Sequence, residues 1–435
     1  MATGVAQQTG PAYDPQLAPL RSMRCGCNVH PGQGSHLAFS PSDCAFSTNL
    51  TTSEYDPGVL YEINVVVHVI SNSMTAGAIS DQDIIEQIER LNEDFSGQTL
   101  GQGNNAGIRF RFATEDPSGA PTNGITRTVN DVWFQDVGGY ASALSWDSRR
   151  YMNVFTLDVG GGLTGYVPNV PQGGAVGSTS DRIVMDYEAI NDSEFKWVLA
   201  HEVGHYLGLF HTWSGNTCSN TICHAQGDLI CDTAPHRDPT QICTVNQFSC
   251  SVVEPSHNFM NYLDITCVYE FTPVQIQRMR CTLENWRSSL ATIADVGVSY
   301  CQATPNSSGM IGRMSATGSP VASANSLTMT ASSLPPNQFG IFVTSRDQGF
   351  VPGGGGTSNG NICLGGLIGR LNRPGEIKAT GPTGEFTLLI DLTGLPQGNG
   401  VASVAMGETW NFQAWHRDGV GLGSNFTEGL EVVFQ

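Results

Sequence analysis

Basic residues are scarce in this chain: 20 Lys plus Arg stand against 39 Asp plus Glu in 435 residues, a formal net charge of −19. No basic stripe is present, so nucleic acid and anionic membrane surfaces are excluded as expected partners. No apolar run approaches membrane-spanning length, which excludes membrane insertion. Met1 to Gly10 has neither a basic n-region nor an apolar h-region, so no signal peptide is read there. Internal repeats are absent, and none of the 12 cysteines forms a C-x-x-C knuckle. Disulfides are the reading that remains, and that number of cysteines points to an oxidising, extracellular setting. Half of them cluster: Cys218, Cys223, Cys231, Cys243, Cys250 and Cys267. Six cysteines allow 15 pairings, and spacing does not choose among them. At this length two or three domains are expected.

What is present is sharper. His201-Glu202-Val203-Gly204-His205-Tyr206-Leu207-Gly208-Leu209-Phe210-His211 reads H-E-x-x-H-x-x-G-x-x-H. On a helix His201 and His205 stand one turn apart on one face, where both imidazoles reach one ion. Glu202, beside the first of them, is placed as general base for a metal-activated water. Gly208 tolerates positive φ and so ends the helix, turning His211 in as a third ligand. Three protein ligands leave a position open, the pattern of a catalytic rather than a structural zinc site. Ser193 is read as the N-cap of this helix and Glu194 as its first turn.

A second element follows, Ser256-His257-Asn258-Phe259-Met260-Asn261-Tyr262. Met260 fits the methionine of the tight turn beneath a metzincin zinc site. Tyr262 fits a tyrosine near the metal that stabilises an oxyanion. With Gly227 to Pro235, Cys267, Phe271-Thr272 and Gln277-Arg278-Met279, these motifs resemble the pappalysin family of metzincins over roughly residues 58–290. The resemblance implies a secreted or extracellular zinc endopeptidase acting on proteins and peptides, with structural calcium nearby. Asp228, Asp232 and Thr233 fall on the matching loop. Oxygen donors suit Ca²⁺, though an Asx-turn network uses the same residues. The resemblance also implies Cys243–Cys267 and a bridge from Cys250 to Cys218 or to Cys223. Cys281–Cys301 is a further expected pair.

Residues 1–57 read as a propeptide or N-terminal segment. Arg24-Cys25-Gly26 resembles the short cysteine motif of pappalysin propeptides, whose thiolate occupies the open zinc position and keeps the enzyme latent. Cys27 follows directly and leaves open which thiol is meant; a disulfide of Cys25 or Cys27 with Cys44 is the alternative. Residues 58–300 form the expected catalytic domain. Its strands are Ile63 to Ile70, Ile108 to Phe112, Met152 to Leu157 and Ile183 to Tyr187. One helix is capped by Ser80, another runs from Thr272 to Leu290, and the zinc motif lies on a third. The fold class is therefore an α/β zincin-like domain with a mixed, twisted sheet and two long helices. Leu163, Thr164, Gly165 and Tyr166 resemble the edge strand on which metzincins bind an extended substrate.

His68, alone in a strand, reads as a satisfied core histidine; His224, His236 and His257 read as loop residues around the site. Residues 301–334, rich in Ser and Thr, read as a linker, and 335–435 as an all-β sandwich whose ligand the sequence does not name. Trp410 and Trp415 are expected to pack in its core. Asp264 and Glu270 stand near the Met-turn, but Thr266 precedes Cys267 where an acid would select basic substrates, so no such preference is assigned. A rival class is a catalytically silent zincin scaffold that binds or adheres through its C-terminal domain; the intact His201, Glu202, His205 and His211 set argues against it.

Overall fold

The computed structural model describes residues 53–171, 174–193, 195–219, 221–237, 248–262, 267–419, 421 and 423–435. Cys25, Cys27, Cys44, Cys243, Glu194, Asp264 and Thr266 lie outside them, as does most of the 1–57 segment. Its described end is anchored: Tyr55 is buried against Cys281 and Trp286.

In the first unit β1 (Tyr61–Ser71) is central, followed by helix α1 (Asp81–Ser96), β2 (Ile108–Phe112) and β3 (Ile125–Val129). Next come the short helix α2 (Tyr140–Leu144), β4 (Met152–Leu157), β5 (Gly165–Tyr166), β6 (Ile183–Asp186), α3 (Val198–Tyr206), α4 (Pro273–Asn285) and β7 (Ala291–Ile293). The seven strands form one sheet in the order β2-β1-β4-β6-β5, with β3 and β7 also on β1. β2, β3, β4 and β6 run parallel to their neighbours, whereas β5 and β7 are antiparallel. The β-branched run of β1 fits a strand covered on both faces. Ile63, Val65, Val67 and Val69 meet Ile84, Ile88, Leu91 and Phe95 of α1 and Val198, Leu199 and Val203 of α3. On the other face His68 stacks on Phe155 at 4.6 Å and bonds Asn153 and Thr126.

Two helix ends differ from expectation. α1 is capped by Ser80, whose side chain accepts the Asp83 N–H. The zinc-motif helix, however, begins at Val198 with Trp197 as N-cap and no side-chain cap bond, so Ser193 does not cap it. Trp197 is fully buried, and packing rather than a polar cap sets that end. α4 stops at Asn285, short of Leu290.

The C-terminal strands form a seven-stranded and a three-stranded sheet around one apolar core. Residues 301–334 do not form a linker. Arg313–Thr317 and Thr328–Ser332 pair antiparallel, and the second also pairs with Phe386–Leu389. Met314, Ala316, Met329 and Ala331 alternate inward against Phe342, Trp410 and Leu430. Trp410 is fully buried; Trp415, on the other face of its strand, packs half-buried beside Val343, Leu364 and Phe426. Val298–Tyr300 joins this unit by pairing with Gly429–Val433. Cys301 follows it and bonds Cys363, correcting the expected Cys281–Cys301 pair; Cys281, on α4, is disulfide-bonded elsewhere. Cys218 bonds Cys250, one of the two expected alternatives, and Cys223 bonds Cys231.

Candidate metal centre

The last turn of α3 builds the site. Gly208, at φ +94°, closes a Schellman turn: its N–H donates to His205 O, and Leu209 N–H donates to Gly204 O, both at 2.9 Å. This folds Leu209 back so that its carbonyl lies 2.9 Å from His205 Nδ1. His201 Nδ1 lies 2.6 Å from Phe259 O. A carbonyl only accepts, so both Nδ1 atoms carry the proton and both Nε2 atoms present lone pairs.

Those lone pairs converge. The Nε2 atoms of His201, His205 and His211 lie 3.1, 3.1 and 3.2 Å from one another. A tetrahedral ion with bonds of ~2.1 Å spaces its nitrogens about 3.4 Å apart, so the cluster fits a zinc-sized cation. All three rings are buried. Burial lowers the His201 pKa well below the ordinary imidazole value, with His205 adding to it, and lowers that of His205 to about 4. These two rings are therefore neutral, as ligation requires. Close-set neutral imidazoles repel through their lone pairs, and a divalent cation relieves this.

Glu202 is fully buried next to the triad, and burial pushes its carboxyl well above the usual range. A methyl group at Gly165 would meet Glu202 Cγ at 3.2 Å, so edge strand β5 lies directly on this side chain. Leu163 and Thr164 lead into β5; Thr164 O accepts the Asp186 N–H, and β5 pairs only with β6 among the described strands. The hydroxyl of Tyr166 donates to Asp136, to which Tyr140 also donates, fastening the strand's outer face.

Beneath the helix, Met260 packs on Gly204. An ideal Cβ at Gly204 would lie 2.4 Å from Met260 Sδ. The turn is held by Asn258: its Oδ1 accepts the Met260 N–H, and its amide pairs reciprocally with that of Gln275. Gln275 also closes the capping box of Thr272 on α4. The Tyr262 ring lies 5.7 Å from that of His201 and 5.1 Å from that of His211.

Asp228, Asp232 and Thr233, the residues expected to hold calcium, serve two different places. Asp228 is buried, accepts from Thr233 Oγ1 and Ile230 N, and is pushed up to about 7 by that burial. Asp232 instead caps α4, accepting from Thr272 Oγ1 and Val274 N. The geometry is an Asx-turn and helix-cap network. His236 bonds Thr212, and His257 bonds Cys267 O; neither joins the triad. His224 lies beside the Cys223–Cys231 bridge.

Four supporting residues escaped sequence reasoning: Gly204, Trp213, Asp181 and Arg287. Arg287 donates to Asp181 Oδ1 at 2.6 Å with both side chains fully buried. It also donates to Tyr206 O at the end of α3 and lies 3.6 Å over the Tyr206 ring. A cation at a helix C-terminus suits the macrodipole. A fifth, Gln275, carries a sequence signal: it stands three residues after the N-cap Thr272.

Comparisons with known proteins agree. The family model described as pregnancy-associated plasma protein-A matches residues 139–284. Extracellular metalloprotease 1 of Coccidioides posadasii is 31% identical over 243 residues, covering 52% of this chain and 78% of that protein. An extracellular metalloprotease of Verticillium alfalfae is 28% identical over 301 residues, covering 65% and 98%. Among solved structures, mature mirolysin of Tannerella forsythia in complex with a cleaved peptide is 30% identical, with a TM-score of 0.45 over 54% of this chain and 100% of that one. The chain belongs to the pappalysin family of metalloendopeptidases.

Proposed function

We propose that this chain is a secreted zinc endopeptidase in which His201, His205 and His211 hold the metal and Glu202 is the general base. The observation that carries the proposal is the convergence of three buried Nε2 atoms beside a buried carboxylate. A zinc ion held there supplies Lewis-acid activation of water and of the scissile carbonyl. Every other task falls to the chain. Extended substrate pairs with β5 from Leu163 to Tyr166, which aligns the scissile bond over the triad. Glu202 takes a proton from the attacking water and delivers it to the leaving amine; its burial raises the carboxyl pKa and makes it the stronger base for that exchange. Tyr262, beside two of the imidazoles, donates a hydrogen bond to the developing oxyanion. The Met260 turn holds α3 from below. Residues 1–57 act as a latency segment, with Cys25 or Cys27 as its thiol. Substrates are proteins and peptides, a reading supported by the extracellular metalloproteases among the relatives.

The test is Glu202→Ala. Turnover of a peptide library should fall by about 10²–10⁴-fold, while zinc content stays at the wild-type level. Wild-type turnover in this variant removes Glu202 from the mechanism.

A further inference from the structure

His201 and His205 leave one helix, and carbonyl oxygens pin both rings. His211 stands beyond the Schellman turn, where no helical backbone orients it. The group laid flat on its ring is Trp213. The two planes are 8° apart, with centroids 4.3 Å apart. The same indole meets Tyr262 edge-on, at 4.6 Å and 68°, and Tyr262 meets His211 at 5.1 Å and 75°. Three rings thus close a triangle at the His211 corner of the site. The backbone between His211 and Trp213 is anchored as well: Thr212 N–H donates to Met260 O, and Thr212 Oγ1 bonds His236 Nε2.

We propose that Trp213 is a positioning residue of the metal centre, fixing the ring plane of His211 and the place of the Tyr262 ring together. Rotation of the His211 imidazole about its bond to Cβ would swing Nε2 away from the metal point. A parallel indole resists that rotation across the whole ring face, as offset and stacked aromatic pairs do. Through its edge contact with Tyr262 the same indole ties the ring bearing the phenol to the ligand's orientation. Trp213 is itself only half-buried, so its part in the apolar core is small. This inference rests on the reading that the three histidines hold zinc.

The experiment uses the full chain loaded with zinc, as wild type, Trp213→Phe and Trp213→Leu. The rate of zinc transfer to an excess of chromogenic chelator is measured, together with the melting temperature of each metal-free protein. Trp213→Leu should release zinc at least about tenfold faster, the range found when supporting groups of metal ligands are removed. Trp213→Phe keeps a flat ring and should restore slow release, and the metal-free proteins should melt together. Cobalt added to metal-free wild type should quench a component of indole emission that Trp213→Phe lacks. Wild-type release rates in Trp213→Leu overturn the proposal. So does a metal-free Trp213→Leu protein melting far below wild type with Trp213→Phe equally leaky, because Trp213 is then a packing residue. A wild-type chain that takes up no zinc overturns the metal reading, and this inference with it.

Discussion

Gly204→Ala should be damaging, although alanine is the better helix former. A Cβ at this position lies 2.4 Å from Met260 Sδ, 3.3 Å from Met260 Cε and 3.3 Å from Phe271 Cε1. Ordinary contact needs about 3.7 Å, so the sulfur must retreat by roughly 1.3 Å. Met260 and Phe271 are both fully buried, leaving it no empty direction. Overpacking of this kind costs up to about 3 kcal/mol. The propensity gain of Ala over Gly returns about 1 kcal/mol. The net is a loss of about 2 kcal/mol, or a fall in Tm of roughly 4–8 °C for a unit of this size. Function should suffer too. The carbonyl before Met260 orients His201, so a displaced turn moves a ligand. Thermal unfolding and zinc content of Gly204→Ala, Met260→Ala and the double variant are the assay. The double variant should be less damaged than the sum of the singles, because the new methyl fills space the thioether vacates. A Gly204→Ala protein as stable and active as wild type refutes the seating of Met260 on the helix.

Two further outcomes follow from buried ionisable groups. Burial lowers the His68 pKa to about 4 from 6.5, so the folded state holds it neutral while the unfolded chain protonates it first. Stability from this group is therefore complete above pH 6.5 and lost as pH falls towards 4, about 3 kcal/mol in all; denaturant titrations of wild type and His68→Asn across that window should show the difference in slope. Arg287→Ala leaves the buried Asp181 carboxyl without its cation and should cost about 3–5 kcal/mol, read from the denaturation midpoint; an unchanged midpoint refutes the clamp on α3.

The parts legible in sequence are those with local spacing. The motif from His201 to His211 announces itself because helical period and one glycine bring three ligands together. β1 is legible from its β-branched run. What escaped depends on contacts distant in sequence or on composition that reads two ways. Arg287 and Asp181 meet across 106 positions, and nothing local to either marks the pair. Gly204 occupies a variable letter of the motif, and only its neighbour Met260 explains it. Residues 301–334 read as a linker because Ser, Thr and Ala are common in linkers; Met314, Ala316, Met329 and Ala331 nevertheless alternate at the strand period. Met and Ala alternating with Arg, Ser and Thr give only a weak hydropathy contrast. The pairing of Cys301 with Cys363 is not legible in sequence, because Cys301 sits where the chain has already entered the C-terminal sheet. The cap of α3 was placed at Ser193 because serine commonly caps helices, while burial of Trp197 sets the start.

The most direct test of the account is metal stoichiometry measured alongside peptide cleavage on the purified chain, before and after stripping with a chelator. One zinc per active chain, loss of cleavage on stripping, and recovery when zinc is returned are the expected results. Cleavage that survives complete removal of metal contradicts it, as does a chain that holds one zinc, has shed its N-terminal segment and cleaves nothing.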